Sequence, residues 1–512
     1  MRRMTAFLLC LILTAGIFTG CGTEQEGPYI PTGDGLTWDE VTTPTSGVTE
    51  QVMSLAYYSG RSLNPYQSTD LTNRTLFSLL YQSLFVVDAD YTVSPMLCKS
   101  YSISWDMRSY TFNLEEATFS DGTPLTAADV AASLTAAKES GYYSGRFSFV
   151  KEITAADEAV TVTLETPYEN FLLLLDVPIV KKDQVSAARP LGTGPYYYEE
   201  LEENGLRLRH RKDWWCAARL PITAERIQLV EGENAAQLRD EFEFSGLSLV
   251  CTDPGAESYV DFHSDYELWD SENGIFLYLA CNSDSGVLSK KSIRAALTYA
   301  IDRNRIADEY YRGFAAGTAL PASPQSPFYS AALAKDITFN TAKLKQAVTE
   351  ANLEDNSLVF LVNTDDGIRL RAARTIAQAL NECGLKVTMS ELDGEAYRKA
   401  LEEGEFDLYL GQTKLSANMD LSAFFAKEGS LNFGGMSDPA IYALCLDSLA
   451  NSGNYYTLYQ KILEDGMLCP VLFRSNAIFT QRGAFAELNP TRDSVFFYTT
   501  GKTLADALIV EE

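Results

Sequence analysis

The stretch from Tyr110 to Leu134, YTFNLEEATFSDGTPLTAADVAASL, constrains the fold more than any other in the chain. Tyr110, Phe112 and Leu114 alternate with Thr111, Asn113 and Glu115, the period-two pattern of a strand with one buried face. Asp121-Gly122 supplies a turn, because glycine takes a positive φ without a Cβ penalty. Thr126 then fits a helix N-cap, Asp129 completes a capping box three residues on, and residues 127–134 open the helix. Physically this is a strand–turn–helix corner and nothing more. No side chain in this corner carries chemistry by itself.

At 512 residues the chain is too long for one core, and two or three domains are expected. Its net charge of −28 repels nucleic acid and anionic lipid, so neither is expected as a ligand. The 28 Tyr and 26 Phe suit a β-rich core, with some Tyr suited to a wet pocket. Met1-Arg2-Arg3-Met4 precedes an apolar or small-residue run over 5–18, which is too short to span a bilayer and reads as a signal-peptide core. Phe18-Thr19-Gly20-Cys21 resembles a bacterial lipobox, in which Cys21 carries the lipid; the alternative is ordinary cleavage near Gly20 with Cys21 free. Residues 22–47 are polar and Pro-containing, a linker rather than a folded unit.

Nine cysteines are present, and Cys10 leaves with the signal. Apart from Cys21, the seven at 98, 216, 251, 281, 383, 445 and 469 are widely spaced and are expected as small buried hydrophobes, not a disulfide framework. His210 and His263 are the only histidines, so no histidine-built zinc or nickel site is expected, and no metal or cofactor is assigned. HExxH, GxSxG and P-loop motifs are missing, and neither histidine has a triad context, so an enzyme is not expected.

Along the body, alternating or apolar runs predict strands at 52–58, 152–165, 196–198, 207–211, 226–230, 247–250, 275–282, 358–362, 385–389 and 406–410. Helical spacing predicts helices at 75–85, 234–241, 293–303, 368–383, 396–403 and 455–465, with Asp420 capping a helix through Phe425. Gly192-Thr193-Gly194 is followed by Pro195 and a strand, so no helix N-terminus is there to hold a phosphate, and the glycines read as structural.

Two passages are specific in their wording. Phe119-Ser120-Asp121-Gly122-Thr123-Pro124-Leu125-Thr126-Ala127-Ala128-Asp129-Val130 closely resembles the signature of the family 5 extracellular solute-binding proteins, the peptide- and nickel-binding receptors of ABC importers. Ile293-Arg294-Ala295-Ala296-Leu297-Thr298-Tyr299-Ala300-Ile301-Asp302-Arg303 is similar to that family's "VRxALxYAIDR" helix. Ser62-Leu63-Asn64-Pro65-Tyr66, Tyr81-Gln82-Ser83-Leu84-Phe85 and Gly192-Thr193-Gly194-Pro195-Tyr196 resemble its other passages in the same order, and residues 469–479 resemble the segment that crosses back to the first lobe. The resemblance runs essentially from Val52 to the C-terminus.

The resemblance implies an α/β, two-lobed periplasmic-binding-protein type II fold with an extra sub-domain on the first lobe. Lobe I is then 48–66, 190–272 and 472–512, its sub-domain 67–189, and lobe II 273–471. It implies a lipid-anchored, monomeric substrate-binding protein on the extracytoplasmic face of the bacterial cell membrane. Such a protein captures a peptide-like solute and delivers it to ABC permease subunits, touching the membrane through its lipid alone. The alternatives are a binder of a non-peptide solute, such as an oligosaccharide or another anionic small molecule, or a surface sensor that kept the fold.

The family's cleft implies ligand contacts from Tyr58 and Arg61, alternatively an exposed turn, and from Tyr278 and Asn282 on the strand at 275–282. Asp253 ends a strand of a βαβ unit, where ligands collect, or else caps a following helix. Peptide-binding members typically carry Trp and then an Asp that holds the peptide amine in the loop after a strand like 406–410. Here that loop reads Gly411-Gln412-Thr413-Lys414-Leu415-Ser416-Ala417-Asn418-Met419-Asp420. Gln412 replaces Trp, and the amine-binding acid is missing. Gln412, Thr413, Lys414 and Asn418 are therefore the candidate contacts, with Lys414 favouring a carboxylate or other anion unless it points to solvent.

Overall fold

Two long strands, Glu267–Cys281 and Leu468–Thr480, run antiparallel through the middle of an eleven-stranded sheet and carry the chain from one lobe to the other. The computed structural model describes residues 52–510 apart from 203, 204, 223 and 285. The expected signal segment, Cys21 and the linker lie outside the described residues.

Both crossing strands are apolar over long runs, as strands covered on two faces must be. Phe276, Tyr278 and Ala280 enter one core with Tyr409, Phe424 and Phe473. Leu277, Leu279 and Cys281 enter another with Phe360, Ile376 and Leu472 on the opposite face. The pairing is interrupted between Glu272 and Phe276. There Asn273 donates to Asn476 Oδ1 at 2.9 Å, its own Oδ1 accepts from the Ile275 amide, and Gly274 sits at φ +73°.

On the first-lobe side the sheet continues through Leu249–Thr252, Met53–Tyr57, Arg226–Glu231, Leu206–His210 and Tyr196–Glu200. Met53–Tyr57 pairs in parallel with both of its neighbours, and helix Ala235–Glu243 makes the crossover, N-capped by Asn234. On the second-lobe side lie Leu408–Lys414, Ser357–Asn363 and Lys386–Leu392, the last two parallel and joined by helix Gly367–Glu382.

The opening corner forms as its residues require. Ser109–Leu114 lies in a separate four-stranded antiparallel sheet with Cys98–Ile103, Ala159–Leu164 and Val150–Ala156. Thr126 and Asp129 make the reciprocal capping box of helix Ala127–Glu139. Tyr110, Phe112 and Val160 share one core with Leu55, Leu249 and Ile478 of the large sheet, so the sub-domain is packed onto the first lobe. Gly194 is structural: a Cβ there would stand 2.5 Å from the Leu80 carbonyl carbon. All seven described cysteines are buried and free.

Several expectations are corrected. Of the helix read over 75–85 only the single turn Phe77–Leu80 forms, and Phe85 opens the strand Phe85–Val87; the run is apolar because it is buried on all sides. The helix read over 293–303 stops at Leu297 and passes into a 3-10 turn. Asp302 then N-caps the new helix Arg303–Tyr310, while the buried Arg303 guanidinium ties down the carbonyls of Thr298, Thr318 and Pro470. The strand read over 406–410 runs on through Lys414, so Gly411, Gln412, Thr413 and Lys414 are sheet residues opposite Tyr278, Leu277, Phe276 and Ile275. The strand read over 275–282 begins at Glu267. Helix Pro439–Ala450 is additional; its Asp438 cap and Pro439 start are ordinary helix-start chemistry.

Candidate ligand-binding cleft

Two cavities open where the lobes face each other across the hinge, the stretch between Glu272 and Phe276 where the crossing strands lose their pairing. One, of about 460 Å³, lies between Tyr142, Arg146 and Phe149 of the sub-domain and Thr413, Lys414, Ser416 and Asp420 of the second lobe. The other, of about 310 Å³, lies along the crossing strands among Arg74, Asp253, Ser271, Asn273, Asn476 and Asp493. Tyr142, Lys414 and Arg492 border both. Each volume falls in the range of small-molecule sites, roughly 300–1,000 Å³.

The walls follow from the local folds. Lys414 is the last residue of its strand, where the sheet ends and the chain turns into 415–420. Tyr142 and Arg146 come from the turn that follows helix Ala127–Glu139, held by Tyr143 and Phe147 in the core. Arg492 and Asp493 sit on an irregular segment anchored by the buried Val495 and Phe496.

Asp493 is the electrostatic centre. Its Oδ1 accepts from Lys414 Nζ at 2.6 Å and from the Tyr142 hydroxyl at 3.0 Å, and its Oδ2 accepts from Arg146 Nη2 at 2.9 Å. Burial alone would raise this carboxyl, but Lys414, Arg146 and Arg492 outweigh it and hold it well below the usual carboxylate range. Arg146 also pairs with Asp176, where burial wins over the guanidinium and the carboxyl is raised. Two acids sharing one arginine are thus driven in opposite directions, Asp493 downwards by the cations around it and Asp176 upwards by burial. Arg74 lies over the Tyr142 ring at 3.4 Å, so that ring is polarised by a cation on its face.

Further polar contacts fix the walls. Asn418, fully buried, donates to the Tyr168 hydroxyl at 2.6 Å, and its carbonyl accepts from Tyr455. Asp253 accepts from Arg474 of the second crossing strand at 2.6 Å, and Arg474 also donates to Gln412 Oε1 at 3.2 Å. Asp420 accepts from the amide and hydroxyl of Ser422 at 2.8 and 3.0 Å, while burial raises its carboxyl against those bonds.

Of the residues expected at the cleft, Thr413, Lys414 and Asp253 border the cavities. Lys414 does not point to solvent; its ammonium spans the cleft to Asp493 and Tyr142. Asp253 caps no helix: its Oδ1 accepts from the Gly255 amide in a turn. Gln412 and Asn418 stand behind the walls in the hydrogen bonds just given. Tyr58 packs with Leu238 and Phe242 in a side cluster, and Arg61 stacks on it and pairs with Asp70 at the surface. Tyr278 is enclosed by Tyr409 and Phe424. Asn282 lies past the far end of its strand, donating to the Phe406 carbonyl at 3.1 Å. None of these four borders either cavity.

Sequence reasoning missed Tyr142, Arg146, Arg492 and Asp493. One signal was present: a charged Arg492-Asp493 pair in an irregular stretch leading into the apolar Val495-Phe496-Phe497. Charges so close to an apolar anchor are drawn towards the interior and need partners there.

Comparison with known proteins agrees with this architecture. Residues 92–430 match the model of the bacterial extracellular solute-binding proteins, family 5 Middle. The glutathione-binding protein GsiB of Escherichia coli K12 is 23% identical over 393 residues, covering 73% of this chain and 74% of that protein. Among solved structures, the ABC transporter substrate-binding protein CtaP of Listeria monocytogenes superposes with a TM-score of 0.71 at 18% identity, over 90% of this chain and 99% of that one. The oligopeptide-binding protein AppA of Bacillus subtilis, in complex with a nonapeptide, gives 0.60 at 20% identity, over 86% and 96%. With the family model covering well over half of its length, the chain belongs to the family 5 bacterial extracellular solute-binding proteins.

Proposed function

We propose that this chain captures a peptide-like solute between its two lobes and delivers it to the permease of an ABC importer, held at the extracytoplasmic face of the membrane by a lipid on Cys21. The observation that carries the reading is the pair of cavities bordered by both lobes over one hinge, with Lys414 reaching across to Asp493 and Tyr142. Closing such a cleft removes the ligand from water, and the few polar contacts inside gain strength and selectivity. GsiB and AppA, by their names, bind glutathione and oligopeptides, which favours peptides over sugars as the first class to test.

Thermal-shift screening of the purified Cys21→Ser chain against peptide, sugar and metal-chelate pools tests the reading, since a ligand specific to the folded form raises Tm. Stabilisation by peptides and not by sugars is expected; stabilisation by sugars alone overturns the peptide assignment. Wild-type protein should fractionate with membranes and release only in detergent, whereas Cys21→Ser should be soluble. Membrane association of both removes the lipid anchor.

A further inference from the structure

Arg492 is out of keeping with the rest of the cleft. Its side chain is 8% exposed, yet Nε and Nη1 are buried without any hydrogen-bond partner. The nearest acid, Asp493 Oδ2, is 3.7 Å from Nε, beyond hydrogen-bond reach, and that carboxylate is already engaged by Lys414, Arg146 and Tyr142. Glu272 is close enough to be felt electrostatically, but its oxygens are taken by the Tyr91 and Ser323 hydroxyls. A guanidinium offers five donors in a planar fork, and a buried one is normally paired. Arg492 borders both cleft cavities and a third of about 160 Å³ beside Tyr91 and Glu272, with its unpartnered donors buried just behind their walls.

Its seat is built. Gly274, at the hinge, has φ +73°, and a Cβ there would overlap the guanidinium carbon and Nη2. The crossing strand therefore gives up its side chain where Arg492 lies against it. Lys414, by contrast, has its charge met by Asp493 and is poorly placed to be the principal anion contact.

Resting on the solute-binding reading above, we propose that Arg492 is the anion seat of the cleft, receiving a carboxylate of the solute through its guanidinium fork. The solute is then an acidic or free-acid peptide-like molecule, oriented with that carboxylate against the hinge. An Arg–carboxylate pair is bidentate and directional, which selects a planar two-oxygen group over a neutral amide. The carboxylate's source is a peptide C-terminus or an acidic side chain.

The test compares wild type, Arg492→Gln and Arg492→Lys by Tm and calorimetry. The probes are acetate against chloride at equal ionic strength, and a tripeptide pool against the same pool with C-terminal amides, each with and without acidic side chains. Acetate should stabilise wild type and not Arg492→Gln. Acid-bearing peptides should bind wild type about 100-fold more tightly than Arg492→Gln. Arg492→Lys should lose much of the affinity while keeping the charge, because it loses the fork. Loss on amidation identifies the C-terminus as the source; retention by amidated acidic peptides identifies the side chain. Equal response to acetate in wild type and Arg492→Gln, or neutral peptides bound as well as acidic ones, overturns the anion seat and leaves the peptide reading standing. An Arg492-dependent response to acetate with no peptide bound supports the seat and overturns the peptide reading instead.

Discussion

Asp493 is the residue on which the cleft's charges converge, and its surroundings make it testable apart from any ligand. Replacing it with Asn leaves Lys414, Arg146 and Arg492 facing one another without their shared acid. Breaking a buried ion cluster in this way costs about 3–5 kcal/mol, and a denaturant melt should report it as a lower midpoint at unchanged slope. The pH dependence has a definite sign. A carboxyl held below its unfolded value of ~3.9 stabilises the fold fully above that pH, and the stabilisation is lost as pH falls through the folded value. Wild type should therefore lose stability on acidification below about pH 4 more steeply than Asp493→Asn. A variant as acid-sensitive as wild type would show that Asp493 is not the carboxylate held down by the surrounding cations.

The elements were legible where their patterns are local. The period-two run at 110–114, the Thr126–Asp129 box and the helix read over 368–383, observed at Gly367–Glu382, need only neighbours within a few residues, and all three form. Asp129→Ala should lower stability by about 1–2 kcal/mol, since the Asp129 carboxylate bonds both the Thr126 and Lys182 amides, at 2.9 Å each; a shift within a few tenths would argue against the box. Apolar runs were misread where burial on every side imitates helical spacing, as at 75–85, or where a strand outlasts its apolar part, as at 411–414. The cleft was barely legible because its parts are distant in the chain: Asp493 lies 79 residues from Lys414 and 351 from Tyr142. Candidates drawn from strand ends by analogy, such as Asn282, fell at the wrong end of a strand that crosses both lobes. The hinge has its own prediction. Gly274→Ala puts a side chain at φ +73° and against Arg492, and should cost about 1–3 kcal/mol in a denaturant melt; a neutral change would show that the hinge has room.

In the whole molecule, the contact of Lys414 with Asp493 and Tyr142 joins the two lobes across the cleft. Lys414→Glu would set two carboxylates face to face where a cation and an acid now meet. Like charges so placed cost several kcal/mol, so the variant should stay open and bind its solute at least 10-fold more weakly, read by scattering and calorimetry. Unchanged affinity would remove Lys414 from the binding surface. Solute capture as proposed requires the lobes to close around the solute, and a distance between them measures that directly. Spin labels on Glu158→Cys and Glu354→Cys sit at exposed positions in opposite lobes, and the seven buried thiols of the body should remain unlabelled. In the Cys21→Ser chain, a saturating casein hydrolysate should convert a broad or longer distance distribution into a single shorter one. A distribution that stays the same while calorimetry shows peptide bound would contradict closure, and with it the account.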